Sequence, residues 1–302
     1  MPKECPMKSM RYVVMSFGCA LFWATTGIFI RGIHGIAGID IVWLRFFFCS
    51  LFSVFYLKKF IAAVSREIII FPSLLMSGYY ICATLSFMYI PIAIATLLVS
   101  LSPAVPIVFN ICRYRTVRIH EIVSFGLIGG GITLFLWSGN GHSGGVGTHF
   151  LIGLILALSS ACIRGVFSIL IWEKGAKGHA IEGSLINTGT FVYGLILTTP
   201  HMVVAYHASM LTYQNMTAAV LLAFVSTYLP TSLNTKASLK VSPFVHQAVG
   251  MATPILAGIM AWLALGEKMS GQEITGCCVV LFGLALVLRT RPAQKKAMAK
   301  SG

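Results

Sequence analysis

Ten long apolar runs constrain this chain more than any other feature of it. They cover residues 12–30, 40–57, 68–89, 93–112, 121–138, 148–172, 184–204, 216–235, 243–265 and 272–289. Crossing a hydrocarbon core takes about 20 apolar residues as a helix. A backbone in lipid must satisfy its own hydrogen bonds, which a helix does. The alternation of a lipid-facing barrel strand is absent. Composition agrees: 57% of residues are apolar, 10% are charged, and the mean hydropathy is +0.86. Soluble chains are about one-quarter charged. The runs therefore predict an all-α integral membrane protein with ten transmembrane helices. The first run follows Lys3, Lys8 and Arg11 like a signal peptide, but it meets Arg31 instead of a small-residue cleavage site. It is read as helix one.

The net charge of +14 would suggest nucleic acid in a soluble protein. Here its distribution reports topology. With the N-terminus placed in the cytoplasm, eighteen of the 22 Lys and Arg fall in cytoplasmic loops or the tail. Only Arg31 and Lys268 fall outside, and Arg45 and Arg164 lie within runs. This asymmetry predicts cytoplasmic termini and no nucleic-acid partner. Compact helices with short loops suit a bacterial inner membrane.

Two stretches repeat. Aligning "SPAVPIVF" (102–109) with "TPILAGIM" (253–260) sets Pro103 against Pro254, His120–Glu121 against Gln272–Glu273, and Gly131 against Gly283 with one residue of slippage. The loop after the first stretch carries Arg113, Arg115 and Arg118, whereas its counterpart carries Glu267, Lys268 and Glu273. An odd number of helices per copy explains the contrast, because the second copy must enter the membrane upside down. The expected organisation is a five-helix repeat at 12–138, a glycine-rich connector at 139–147, an inverted five-helix repeat at 148–289 and a basic cytoplasmic tail at 290–302. Inverted repeats are characteristic of secondary transporters, with the substrate near the midplane between them.

Several segments together resemble the drug/metabolite transporter superfamily, specifically its EamA-type ten-helix members. They are "ALFWATTGIFIRG", "WLRFFFCSLF", "LLVSLSPAVPIV" and the stretch from "AVGMATPILAG" to "LFGLALVL", with Gly266–Glu267 after helix nine. The first unit departs from the pattern at "CRYRTVR", where an acidic loop is often seen. The resemblance implies a plasma-membrane carrier of small metabolites, often an exporter of amino acids or related compounds.

Arg164 lies about 12 Å from the cytoplasmic end of helix six at about 1.5 Å per residue. An arginine at such depth should face a cavity or a partner, and it can hold a carboxylate or phosphate bidentately. Inward snorkelling is the competing reading. The repeat sets Thr26 opposite it. Arg45, about 8 Å from the outer end of helix two, is expected to snorkel outward. Trp23, Tyr79 and Tyr80 could pack on a solute and hydrogen-bond it, as could Asn110 and Gln247; ordinary helix packing accounts for these residues equally well. Pro103, Pro106 and Pro254 are expected to kink helices four and nine and shape the cavity. Gly126 and Gly130, at GxxxG spacing, should permit a close helix contact.

All eight acids fall in loops or at helix ends, so no buried carboxylate is expected. Efflux of hydrophobic cations usually needs one. The sequence therefore favours a zwitterionic or anionic solute such as an amino acid, with multidrug or organic-cation efflux as the alternative. A membrane-embedded enzyme would need paired acids, a metal-binding helix or a nucleophile–base pair, and none is evident; a scaffold role stays open. No metal or cofactor is expected. The expected partners are the solute, the bilayer and a coupling ion, with the proton as candidate, and both a monomer and a homodimer are compatible.

Overall fold

A computed structural model describes residues 6–63, 67–102, 104–105, 108–109, 112, 119–137, 148–176, 182–204, 211–238, 250, 252–266 and 270–289. Among these residues the regular elements are all helical. They are α1 (Pro6–Ala24), α2 (Thr26–Arg31), α3 (Gly38–Phe52), α4 (Val54–Ala63), α5 (Glu67–Tyr89), α6 (Ile92–Val99) and α7 (Ile119–Trp137), then α8 (Thr148–Ala176), α9 (Gly183–Val204) and α10 (Tyr213–Ala223). A π-turn, Phe224–Tyr228, leads into α11 (Leu229–Ser238), followed by α12 (Ala252–Leu265) and α13 (Gly271–Arg289). Among the described residues four stretches are long and apolar enough to cross a membrane: Val14–Arg31, Ile69–Tyr89, Thr148–Ile171 and Tyr213–Asn234. The pair α3–α4 makes a fifth if it counts as one span.

Among the described residues several runs depart from a single straight helix, the run 93–112 included, whose helix ends at Val99. The run 40–57 breaks at Ser53, and α4 turns away from α3 by 89°. Ser53 leaves helical geometry at φ −91° and ψ 2°, with its N–H shared between the carbonyls of Cys49 and Ser50. The first span is interrupted at Thr25, whose hydroxyl donates to the Phe22 carbonyl at 2.7 Å and pairs with Ser226 Oγ at 2.7 Å. The run 216–235 contains the π-turn, where Thr227 Oγ1 donates to the Leu222 carbonyl five residues back. At the other end of α12, Gly266 adopts φ 68° and donates to the Trp262 carbonyl. This left-handed position explains why glycine ends that helix.

Apolar side chains face outward as well as inward, and hydroxyls are buried among them. Phe55 and Val204 are 88% exposed, while Ser73, Ser77, Thr84, Ser124 and Ser226 are fully buried. Lipid supplies no hydrophobic drive between helices, so close packing and hydrogen bonds hold them together. Ser73 and Ser77 of α5 donate to the carbonyls of Ile186 and Thr190 in α9, at 3.1 and 2.7 Å. That approach requires Gly189, where a Cβ would stand 2.5 Å from Ser73 Oγ.

The halves of the chain interleave. α1 packs on α11 and α12, and α8 packs on α5 and α6. α3 packs on α9 and α10, and α5 also packs on α9. The most extensive seam joins α7 to α13. At Gly131 a Cβ would lie 2.9 Å from both the Gly276 oxygen and the Val280 nitrogen. At Gly283 it would lie 3.1 Å from the Ser124 oxygen and 3.0 Å from Ile128 Cγ1. Among the described residues, Gly126 and Gly130 meet nothing within 4 Å. The expected GxxxG contact is thus corrected: Gly131, not that pair, lies on the packed face of α7.

Where α2 and α9 end, several bonds tie the chain. The His34 N–H donates to Asn215 Oδ1 at 3.1 Å, and Asn215 Nδ2 returns a bond to the His34 carbonyl at 2.9 Å. Arg31 donates to the Ile90 carbonyl, and His201 Nδ1 lies 3.4 Å from Asp40 Oδ1. Asp40 has no exposed surface. It is a buried carboxylate, which the reading of the acids as helix-end residues did not anticipate. Its Oδ2 accepts from the Ala37 N–H, capping the start of α3, so a residue at a helix end is covered by the loop that it caps.

Candidate functional site

A cavity lies between α1, α2, α3, α5, α6, α8 and α12, with about 70 Å³ of water-accessible space. Trp23, Thr26, Tyr79, Tyr80 and Arg164 all line it. The residues singled out in three separate runs thus converge. Asn110, Gln247, Pro103 and Pro106 lie outside the described residues. Pro254 is buried in the first turn of α12, next to Thr253 of the cavity wall.

Arg164 projects from α8 over two aromatic faces. Its Cζ is 4.8 Å from the Trp23 ring centre and 5.8 Å from that of Tyr79. Ring quadrupoles stabilise a cation in this position, and they leave its N–H groups unused. Among the described residues no side chain or carbonyl accepts a hydrogen bond from the guanidinium. The Nε1–H of Trp23 is also buried without an acceptor among the described residues. No Asp or Glu lines the cavity among those residues.

Arg45 is the principal residue that sequence reasoning missed. Expected to snorkel outward, it is instead 2% exposed and lines the cavity. Its Nε donates to Thr227 Oγ1 and its Nη1 to Thr84 Oγ1, both at 2.7 Å. Its Cζ sits 4.6 Å over the Tyr80 ring. The depth count failed because the side chain turns inward, onto Thr84 of α5 and Thr227 of the π-turn, and does not follow α3 to its end. The hydroxyl of Tyr80 pairs with Thr231 Oγ1 at 2.7 Å, and the Tyr79 and Tyr80 rings stand 4.9 Å apart. Two arginines therefore flank a tyrosine pair. Thr96, Ser100, Ser102 and Thr253 add hydroxyls to the wall; no periodic signal separates them from the other membrane serines and threonines.

Residues 151–289 match the model of the EamA-like transporter family. The matched stretch is the chain's second half, and it agrees with the resemblance that the motifs carry. Together with the membrane-length helices it marks the chain as a multi-pass membrane protein. A search of curated proteins finds no match. Among solved structures, one titled only "Crystal structure of protein" aligns with a TM-score of 0.64 at 15% identity. The alignment covers 94% of this chain and 99% of that one, so the two share a fold.

Proposed function

We propose that this EamA-like chain is a secondary carrier of small anionic metabolites, working by alternating access between two inverted five-helix units. The observation that carries the reading is Arg164, a membrane-depth guanidinium held on aromatic faces in a cavity with no acidic lining residue among those described. A charge at that depth is expensive and is retained where it meets a charged or polar partner. A carboxylate or phosphate supplies that partner in bidentate geometry. An organic cation would meet Arg164 and Arg45 with no carboxylate to offset them.

The helix packing supports the inverted repeat. Exchanging each span of the first unit with its counterpart in the second turns α1 on α11 into α8 on α5, and α1 on α12 into α8 on α6. The α7–α13 seam obeys the same exchange residue by residue. Gly131 faces Gly276 and Val280, and Gly283 faces Ser124 and Ile128. Counterparts differ by one constant offset: 283 minus 131, 276 minus 124 and 280 minus 128 all give 152. A pseudo-two-fold axis in the membrane plane produces such reciprocity. The bonds of Asn215 to His34 and of His201 to Asp40 join the two units at one end, which supports a state closed on that side. The distribution of Lys and Arg favours an extracytoplasmic position for that end and cytoplasmic termini.

Proteoliposomes preloaded with a panel of amino acids, organic anions and organic cations test the proposal. Exchange of an anion, lost in Arg164→Gln, is the expected result. Exchange of cations alone, indifferent to the substitution, would overturn it.

A further inference from the structure

The cavity holds a second cation that the carrier reading does not use. Arg45 is fixed by Thr84 and Thr227 through Nη1 and Nε. Its Nη2 has no hydrogen-bond partner among the described residues, and Arg45 lines the same cavity as Arg164. The two guanidinium groups stand on opposite members of one tyrosine pair, Arg45 over Tyr80 and Arg164 over Tyr79. Like charges around a low-dielectric cavity repel, and each buried ion loses hydration that only a counter-charge or hydrogen bonds restore. Neither arginine has a carboxylate partner among the described residues. The cavity therefore carries two positive charges with no acidic residue on its described walls.

From this we infer that the transported solute is a dianion, with one negative charge read by Arg164 and the second by Arg45. The inference rests on the anion-carrier reading and narrows it. A monoanion leaves one guanidinium uncompensated. A zwitterion is worse placed, because its ammonium group must face one of the two arginines. A dianion neutralises both, and the aromatic faces and wall hydroxyls take up its uncharged part. The second charge can belong to a dicarboxylate or to a phosphate monoester; what the cavity recognises is the total of two. Arg45 sets this specificity because it is anchored: two threonines orient it, so it cannot swing away when a singly charged solute enters.

The test uses the full-length protein in liposomes and measures exchange of labelled succinate, its monomethyl ester, glycerol phosphate and alanine. Wild type should exchange succinate or glycerol phosphate at least tenfold faster than the monomethyl ester or alanine. Whichever of succinate and glycerol phosphate is carried identifies the source of the second charge. Arg45→Gln should reduce the ratio of dianion to monoester flux at least tenfold, a selectivity change that a loss of packing alone does not produce. Arg164→Gln should abolish both fluxes. If wild type carries the monoester or alanine as fast as the dianions, and Arg164→Gln removes that flux, the dianion inference fails while the carrier reading stands. If no anion is exchanged at all, both fail. The wild-type comparison needs no variant, so poor folding of Arg45→Gln does not remove the test.

Discussion

Arg45 and Arg164 face the same cavity from different halves of the chain, yet they are held in opposite ways. Arg45 is tied by two short hydrogen bonds and almost wholly enclosed. Arg164 is half-buried and rests on ring faces. Hydrogen bonds fix direction, while a ring face fixes only the height of the charge above it and leaves rotation free. One arginine is therefore a fixed reference and the other an adaptable reader. A site that must release its solute on either side of the membrane can use such a division, because one contact can break before the other.

The largest effect should come from the adaptable member. Arg164→Gln removes a charge-assisted pair worth about 3 kcal/mol or more, so exchange should fall about a hundredfold. Its thermal midpoint should barely move; a large drop there would show that Arg164 holds the fold instead. For the fixed member, Thr84→Val strands the Nη1 group of Arg45 and should lower unfolding stability by about 1–3 kcal/mol, measurable by denaturant titration in detergent. Arg45→Met should do the reverse. It replaces a buried cation by an apolar chain of similar volume, a change worth about 1 kcal/mol or more in favour of the fold, while dianion exchange falls. A destabilised Arg45→Met would mean that this arginine is structural. The smallest change is Trp23→Phe, which weakens the cation–π contact by about 0.5–1 kcal/mol. Affinity for the carried anion should then drop a few-fold in a binding titration, with no change in stability.

Much of this site was legible from the sequence because polar and aromatic groups are conspicuous in apolar runs. Trp23, Thr26, Tyr79, Tyr80 and Arg164 stand out against leucine and isoleucine, and all five reach one cavity. What escaped depends on the third dimension. Distance along a helix gives depth only if the side chain follows the helix to its end, and Arg45 turns inward onto Thr84 and Thr227 instead. Asp40 is buried where it caps Ala37 and meets His201. A GxxxG spacing states that two glycines share a face, not that the face is packed; in α7 the packed face belongs to Gly131. The 89° turn at Ser53 and the π-turn lie inside unbroken apolar runs, where hydrophobicity has no contrast to report.

That π-turn has a consequence for how the chain can vary. A π-turn is an α-helix that has absorbed one extra residue, and a residue occupies about 100° of helical rotation. Phe224–Tyr228 thus lets α10 and α11 keep their faces while one extra residue bulges between them. It sets the angle at which Thr227 meets Arg45, Thr231 meets Tyr80 and Ser226 meets Thr25. Deleting one residue there would give a more regular helix and leave composition nearly untouched. Because the wide turn takes up its extra residue without rotating the flanks, the loss would fall on the turn itself, where Ser226 and Thr227 would lose their alignment with Thr25 and Arg45. A single-residue change in length, with no change in chemistry, would thus loosen the fixed half of the site.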